Sequence, residues 1–454
     1  RILSTIMACV LMAQAFVPFT PAVKAEAAVH QEEASVFSDI YTDKSRYNPG
    51  DTAKVTVEFH NTSQSAISRL VVQPRHLNKK AGEPFTVDCS IAASATGSTT
   101  FDWAVGTADY TGYMLEISAE NSKDRVIDTG SVAVDVSSDW TKFPRYGYVR
   151  EFEDGVDTTG KIQAMTKYHI NVIEYYDWQH LHHQPLAPQE MLDQGWYTDW
   201  ANRRIYVSTL KNYVRDAKNS NMASMAYDMI YAGTNSFFEG EENAVHKTWQ
   251  IKFREGNSQG EGEFKFQMGQ GLADGTLFFV NPLNKDWQTY IFSEVNKALD
   301  YFGFDGWHGD TVGDWGDMTD ANGNPLGYDE NGNPIYSVAD TYKQFLDAAK
   351  DNLNGRYLTF NPVGAKGIEN ANKSKVDALY TEFWPWDIAR DGSNYATYES
   401  LVKEIEWSAQ DSGGKSLAVK SYINNDGKDS SGYMNTPAVM LVNAAVFAAG
   451  GNRV

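Results

Sequence analysis

Cysteine is nearly absent from this chain. Only Cys9 and Cys89 occur among the 454 residues, and Cys9 lies in an apolar N-terminal stretch, which leaves Cys89 alone in the folded part. This count excludes an internal disulfide and a cysteine-based zinc site. The stability of the fold must therefore come from apolar burial, for which a chain of this length that is 42% hydrophobic has ample material.

Positive charge is also scarce. The chain has 39 Lys and Arg against 59 Asp and Glu, a formal net charge of -20. Such a field repels nucleic acid, anionic membrane surfaces and acidic polysaccharides, and no glycine-rich loop with Lys opens a helix to hold a phosphate. We therefore expect a neutral ligand and no nucleic-acid partner. Separately, we expect no cofactor, no metal and a monomeric protein.

A membrane-spanning run is lacking as well. The uncharged stretch Ile2–Ala22 is followed by "AVKAEAA", which predicts a secretory signal over residues 1–27 with cleavage near Ala25 or Ala27. A transmembrane helix is the weaker alternative, because two prolines interrupt the short apolar part. We expect a secreted, extracellular bacterial protein without a membrane span after processing. Since the chain starts without Met, we also expect its first residues to be missing.

Residues 38–138 show short stretches of alternating character. Val55, Val57 and Phe59 alternate with polar residues, and "GYMLEIS" and "SVAVDV" repeat this period of two between turn signals such as "NPGD". The pattern predicts an immunoglobulin-like β-sandwich. It contains no cluster of potential catalytic groups, so a spacer or docking role is expected.

Over residues 142–454 strands alternate with helical stretches, which predicts a (β/α)8 TIM barrel, with a doubly wound open sheet as the alternative. The eighth strand is expected to begin at "AAGGNRV", so we expect a barrel that is truncated there. Residues 233–275 are predicted to be an irregular insertion and 320–334 a hairpin. The seven strand candidates are "RYGYV", "NVIEYYD", "MASMAYDMIY", "FDGWHGD", "RYLTFNPV", "VDALYTEFWP" and "SLAVKSYINN".

Polar and aromatic side chains gather where these strands end, and the carboxyl ends of barrel strands are where active sites lie. Aromatic faces stack on sugar rings while carboxylates and amides bind hydroxyls, so this composition indicates a neutral sugar ligand. The residues at the strand ends are Asp177, Trp178, Asp228, Trp307, His308, Asp310, Asn361, Glu382, Trp384, Asn424 and Asn425.

Cleavage of a glycosidic bond needs two carboxyl groups. Asp310 and Glu382, at the ends of the fourth and sixth strands, are the best pair; the alternative is that both only bind substrate or stabilise loops. Asp305 and Asp314 compete with Asp310. Asp305 has the opposite parity within the strand, whereas Asp314 lies beyond the strand end, where it could orient the site.

Two further patterns point to other chemistry. "GNSQG" at 256–260 matches a nucleophile elbow but lies in a polar insertion instead of between a strand and a helix. The histidines His180, His182 and His183 could bind a metal, but no carboxylate stands at a standard spacing, so contact with sugar or packing is favoured.

The motifs "DKSRYNPGDTAKV", "FPRYGYVREFE", "YYDWQHLHHQPL", "MAYDMIYA", "FDGWHGDTVGD" and "LYTEFWPW" resemble glycoside hydrolase family 66, the dextranases and cycloisomaltooligosaccharide glucanotransferases, from about residue 40 onward. The resemblance implies a retaining mechanism with Asp310 as nucleophile and Glu382 as acid/base. These roles require a raised pKa for Glu382 and an ionised Asp310. The implied substrate contacts are Asp177, Trp178, His183, Asp228, Trp307, Asn361 and Asn425.

Two activities occur in this family. The cyclising enzymes resemble one another in carrying a carbohydrate-binding module after the seventh strand, for which this chain has no room, and "WHGDTVGD" is similar to the hydrolases. We therefore expect an endo-dextranase that acts on dextran and isomaltooligosaccharides. The alternatives are a cyclising transferase and a non-catalytic glucan-binding protein.

Overall fold

The computed structural model describes residues 36–268, 275–422 and 435–454. Within them, no helix is both long and apolar enough to cross a membrane. The helices are α1 (Thr158–Lys167), α2 (Gln189–Asp193), α3 (Val207–Asn219), α4 (Asn235–Phe238), α5 (Lys285–Phe302), α6 (Tyr342–Asn352), α7 (Ile368–Asn372), α8 (Tyr398–Asp411) and α9 (Thr436–Ala448), with 3-10 turns at Trp140–Lys142, His246–Trp249, Val338–Thr341 and Val363–Ala365.

The strands up to residue 136 form two antiparallel sheets. They are β1 (Phe37–Thr42), β2 (Thr52–His60), β3 (Ile67–His76), β4 (Lys79–Lys80), β5 (Phe85–Ile91), β6 (Thr96–Ala104), β7 (Thr111–Glu120) and β8 (Val126–Val136).

One sheet has the order β1-β2-β6 and the other β4-β3-β7-β8, with β5 paired to β3. We call them the N-terminal sheets. Their alternating apolar residues meet in one core, in which Val55 and Val57 of β2 pack with Leu70 of β3 and Ile117 of β7. The alternation of apolar and polar residues in the sequence therefore corresponds to side chains that point alternately into this core and toward solvent.

The remaining strands lie after residue 145. They are β9 (Tyr146–Val149), β10 (Val172–Tyr175), β11 (Trp196–Thr198), β12 (Arg204–Tyr206), β13 (Ala223–Met229), β14 (Ala232–Thr234), β15 (Ile251–Phe253), β16 (Lys265–Gln267), β17 (Thr276–Phe279), β18 (Gly306–Asp310), β19 (Met318–Asp320), β20 (Gly327–Tyr328), β21 (Pro334–Ile335), β22 (Tyr357–Phe360), β23 (Leu379–Phe383), β24 (Leu417–Ser421) and β25 (Asn452–Arg453).

Eight of these strands form two parallel sheets, in the orders β22-β18-β13-β10-β9 and β23-β24-β25. The first seven along the chain lie in the seven predicted stretches, and β25 pairs in parallel with β24 at the predicted eighth position. Rings from both sheets meet between them: the Tyr380 ring of β23 lies 5.1 Å from that of Tyr146 in β9 and 4.6 Å from that of His308 in β18. The two sheets therefore share one interior.

The predicted irregular insertion at 233–275 is partly regular. It contains β15 and β16, because Ile251, Phe253, Phe264 and Phe266 alternate with polar residues and belong to one apolar cluster. The rings of Phe264 and Phe266 pack against Trp315. The high content of Gly and Glu hides this alternation in the sequence. The hairpin prediction is confirmed by the antiparallel pairing of β20 with β21.

The N-terminal sheets contact the parallel strands at their amino ends. The Ser45 amide donates to the Ser220 carbonyl (3.0 Å), Asn221 Nδ2 donates to the Arg46 carbonyl (3.0 Å), and Arg145 forms an ion pair with Asp135. Ser220 and Asn221 directly precede β13, and Arg145 precedes β9. The carboxyl ends of the parallel strands therefore lie away from this contact.

Replacement of Gly306 by Ala is expected to destabilise the fold. A Cβ atom at this position of β18 would collide with the Tyr357 carbonyl oxygen of β22 and come within 2.7 Å of Met225 Cε, and overpacking of this kind costs about 1–3 kcal/mol. Denaturant unfolding measures the loss. Gly112→Ala in β7 is the matched control, since a Cβ there meets nothing within 4 Å; equal effects of the two changes would contradict the packing argument.

Candidate active site

Strand register sets a row of polar side chains on the inner face of the parallel sheets, near their carboxyl ends. Tyr148 of β9 stands opposite Glu174 of β10, and Tyr227 of β13 stands opposite His308 of β18. In the second sheet Glu382 of β23 stands opposite Lys420 of β24. Since neighbours in register point to the same face of a sheet, these side chains converge on one site.

Asn361, directly after β22, joins the two predicted catalytic residues. Its side-chain Nδ2 donates to Asp310 Oδ1 (3.0 Å), and its Oδ1 accepts from the backbone amide of Glu382 (3.1 Å). The Asn361 side chain is itself buried. A single side-chain amide thus holds the Asp310 carboxylate beside the start of the Glu382 segment.

Burial and the nearby Glu382 raise the pKa of Asp310 to about 7. Hydrogen bonds from the Thr311 amide, the Tyr227 hydroxyl and the Asn361 amide act in the opposite direction and favour the ionised form. The nucleophile role implied by the resemblance requires an ionised Asp310, and with a pKa of about 7 this carboxyl is only partly ionised near neutral pH.

A third carboxyl group, that of Glu174, lies near this pair. The sequence analysis did not predict Glu174 as a site residue. Burial, followed by the charge of Asp310, raises its pKa to about 8, while Lys420 acts to lower it. Its Oε2 lies 3.8 Å from His308 Nε2, and burial lowers the pKa of His308 to about 3. Glu174 and His308 are therefore both uncharged at neutral pH.

Lys420 supplies positive charge to the same interior. Its ammonium group lies 5.4 Å from the ring centroids of both Tyr148 and Tyr422. Burial acts to lower the pKa of Lys420, but a hydrogen bond with Tyr422 and the nearby carboxyl groups of Glu382 and Glu174, when ionised, raise it overall. Lys420 therefore stays charged and partly offsets the negative charge of the site.

Trp384 is part of the site, but in a different role from the predicted one. Its Nε1 donates to Glu382 Oε1 (3.0 Å). Its ring is stacked between Tyr422 (centroids 3.7 Å apart, planes at 10°) and Trp386 (5.1 Å, 18°). Both faces of the Trp384 ring are thus occupied, so it orients the Glu382 carboxyl and offers no stacking surface to a sugar.

Asp177 lies at the rim of the site. Its Oδ2 accepts from Arg203 Nη2 (2.8 Å) and its Oδ1 from Trp200 Nε1 (3.4 Å). Its charge also acts on Glu174. The structure therefore brings Asp177 near the carboxyl pair, and Asp177 is itself paired with the Arg203 guanidinium group.

The structure does not bring Trp178 and Trp307 to the site, which corrects their prediction as substrate contacts. Trp178 is 1% exposed and donates its Nε1 to the Tyr227 carbonyl (2.9 Å). Trp307 is fully buried and packs against Phe292 and Phe345. Trp307 neighbours the inward-facing His308, so the period of two turns it outward against the helices.

Asp228 and His183 are likewise buried on the outer side of the sheet, against their prediction as substrate contacts. Asp228 follows the inward-facing Tyr227, and its Oδ1 accepts from His182 Nδ1 (2.7 Å). The His183 ring stacks on Phe237 (4.6 Å). These histidines therefore contact different partners, and no group of three or more potential ligands in the described ranges is arranged to hold a metal.

The remaining candidates lie elsewhere. Asp314 is exposed in the loop after β18, where its Oδ1 accepts from the Gly316 amide (3.0 Å). Asp305 lies at the opposite, amino end of β18 and accepts from the Ser224 amide (2.8 Å), so it does not compete with Asp310. Asn425 falls outside the described residues.

Two carboxyl groups at the carboxyl ends of parallel strands, with aromatic rings and an amide around them, are typical of glycoside hydrolases. Comparison with known sequences agrees: the sequence model described as Glycosyl hydrolase family 66 matches residues 42–454. The chain belongs to this family.

Named relatives include both activities. A cycloisomaltooligosaccharide glucanotransferase of Niallia circulans is 30% identical over 395 residues, covering 85% of this chain and 38% of the relative. A dextranase of Streptococcus salivarius is 27% identical over 413 residues, covering 83% of this chain and 48% of the relative. The chain thus spans less than half the length of either.

A solved structure agrees with the fold. The Paenibacillus sp. cycloisomaltooligosaccharide glucanotransferase complexed with cycloisomaltoheptaose matches with a TM-score of 0.72 and 27% identity. The match covers 86% of this chain and 53% of that one.

Asn361→Ala is expected to move the acid limb of the pH profile to higher pH. The change removes a hydrogen bond to ionised Asp310, which raises the pKa of this carboxyl. The nucleophile role implied by the resemblance would then require a higher pH. A hydrogen bond to a charged group is worth about 1.5–3 kcal/mol, or about one to two pH units. The measurement is kcat/KM against pH. Replacement of the exposed Asn352 at the end of α6 by Ala is the control. An unshifted acid limb in Asn361→Ala would contradict the coupling.

Glu174→Gln is expected to reduce the loss of stability at alkaline pH. Since the folded pKa of Glu174 is raised from its ordinary 4.5 to about 8, the native protein loses stability as the pH rises through this interval. The variant lacks this loss, on the order of a few kcal/mol. Denaturant unfolding at pH 5 and pH 9 measures it. The exposed Glu399→Gln on α8 should behave as the unmodified protein, and identical pH dependence of all three would refute the burial argument.

Proposed function

We propose that this protein is a secreted endo-dextranase that hydrolyses internal α-1,6-glucosidic bonds with retention. The observation that carries the proposal is the Asn361 bridge between Asp310 and Glu382. Membership of family 66 and the named dextranase relative support the substrate. The chain covers less than half of that relative, so the activity is proposed for the full gene product.

The proposed reaction has two steps. Glu382 protonates the glycosidic oxygen while an Asp310 carboxylate oxygen attacks the anomeric carbon, which breaks the carbon–oxygen bond and forms a glucosyl ester. Water then gives a proton to Glu382 and attacks the same carbon, which releases the Asp310 carboxylate and restores the Glu382 acid.

The surrounding residues fit these roles. The Tyr227 hydroxyl and the Asn361 amide donate to Asp310, which favours the ionised nucleophile. Trp384 donates to Glu382 Oε1, which leaves the other oxygen of this carboxyl for the proton that is transferred. The positive charge of Lys420 partly offsets the negative charge of the interior. Some of the carboxyl groups can therefore stay ionised when a substrate enters.

For the organisation of the chain, we propose a secretory signal over residues 1–27, an immunoglobulin-like β-sandwich over 38–138 and a (β/α)8 barrel over 142–454. The two antiparallel sheets around one core support the sandwich. Eight parallel strands with a shared interior support the barrel. The composition of the first residues supports secretion.

A cycloisomaltooligosaccharide glucanotransferase is the second candidate, favoured by the names of the Niallia circulans and Paenibacillus relatives. In that reaction a sugar hydroxyl of the same chain takes the place of water in the second step. The hydrolase is supported by the short segment 422–435 between β24 and α9, which has no room for an inserted module, and by the "WHGDTVGD" segment.

Asp310→Asn is expected to lower turnover of dextran by at least about 10⁴-fold, because it removes the covalent nucleophile. Dextran affinity should remain, since the amide keeps the shape of the side chain. Reducing-end release and equilibrium binding measure the two quantities. Asp317→Asn, in the exposed loop after the strand, is the matched control; substantial residual activity in Asp310→Asn would refute the nucleophile assignment.

Product analysis decides between the two activities. Reducing ends and chromatography on dextran, with starch as control, should show linear isomaltooligosaccharides from dextran alone. Mainly cyclic products would favour the transferase. Binding without any new ends would show that Asp310 and Glu382 are not a catalytic pair.

A further inference from the structure

The aromatic ring with an exposed face in this site is that of Trp386, not that of Trp384. Trp384 is covered on one face by Tyr422 and on the other by Trp386. Trp386 is the end of this three-ring stack and is 69% exposed. An exposed Trp face of this size at the edge of a sugar site requires an explanation, since large aromatic rings are normally buried.

The ring is held in place before any ligand binds. The turn at 384–387 is closed by two hydrogen bonds, from the Trp384 amide to Asp387 Oδ2 (2.9 Å) and from the Asp387 amide to the Trp384 carbonyl (3.0 Å). Pro385 within this turn fixes its own backbone φ. Little conformational freedom therefore remains to be lost when a ligand stacks on Trp386.

The three-ring stack connects Trp386 to Glu382, the proposed acid/base residue. Trp384 donates to Glu382 Oε1, and Glu382 is the carboxyl that protonates the leaving oxygen in the proposed mechanism. Asp310, on β18, attacks from the other side of the anomeric carbon. The stack therefore links Trp386 through Trp384 to Glu382, the residue that contacts the leaving group in the proposed mechanism.

We propose that the outer face of Trp386 is a sugar-binding subsite that takes a glucosyl ring of the leaving part of the chain, outside the bond that is cleaved. The apolar C–H face of the ring lies on the indole, as in sites where aromatic residues bind neutral sugars. The proposal rests on the proposed function, because it extends the binding of the same α-glucan. It predicts that long chains use a contact that short ones do not reach.

The test compares binding of long and short substrates in a protein that cannot turn them over. In the Asp310→Asn background, Trp386→Ala should weaken binding of dextran about five- to ten-fold, the size expected of one aromatic contact. Isomaltotriose, used as the short probe, should lose much less affinity. Trp386→Phe should restore most of the binding to dextran, and the neighbouring exposed Ile388→Ala should behave as the parent.

A second measurement separates a subsite from a merely structural role. If Trp386 only supported Trp384, its removal would disturb Glu382, and Trp386→Ala in the active enzyme would shift the pH profile of kcat equally for long and short substrates. An unchanged pH profile with a KM that rises only for dextran supports the subsite. Equal affinity of parent and Trp386→Ala for dextran, or equal loss for both probes, would overturn it.

These outcomes are distinct from a failure of the proposed function. If the unmodified protein released no product from dextran although Asp310→Asn bound it, the proposed function would fail. The comparison of Trp386→Ala with Trp386→Phe in binding would still decide whether the ring is a sugar subsite.

Discussion

The site depends on keeping two half-buried carboxyl groups, Asp310 and Glu382, together although their charges repel. Asn361 contacts Asp310 and the Glu382 segment at once, so it fixes their relative position. Hydrogen-bond donors from Tyr227 and Thr311 favour the ionised form of Asp310. Lys420 interacts electrostatically with both Glu382 and Glu174. Buried carboxyl groups without such partners would remain protonated and inert.

Strand register explains how these partners come together. Each of the parallel strands sends alternate residues inward, so Glu174, His308 and Lys420 face the site while Trp307 and Asp228 pack outward. The outward set then builds the core between strands and helices. The alternation of side chains along the parallel strands thus supplies both the polar groups of the site and the apolar groups of the core in this half of the chain.

Much of this arrangement was predictable from local pattern. The seven strand positions and the choice of Asp310, Glu382 and Asn361 followed from apolar runs and from polar residues at strand ends. Trp178 and Trp307 were misplaced because closeness to a strand end says nothing about which face a residue occupies. Counting parity back from Asp310 would have turned Trp307 outward. The same count from Asp177 would have missed Glu174, which has the opposite parity, because the left-handed backbone at Asp177 (φ 55°) interrupts the alternation.

Contacts between distant segments were beyond such reasoning. The Trp384 ring meets Tyr422, and Arg203 meets Asp177, only because separate loops converge above the strands. No periodicity links these positions in the chain, so sequence pattern identifies the aromatic residues without showing which of them retains a free face.

The attachment of the N-terminal sheets to the amino ends of the parallel strands has a practical consequence. A tether, dye or solid support fixed to the outer strands of those sheets would point away from the carboxyl-end opening. A large molecule approaching the carboxyl ends of the parallel strands would not collide with such a support. This makes the N-terminal sheets the preferred point of attachment for immobilising the protein with the carboxyl ends of the parallel strands facing solution.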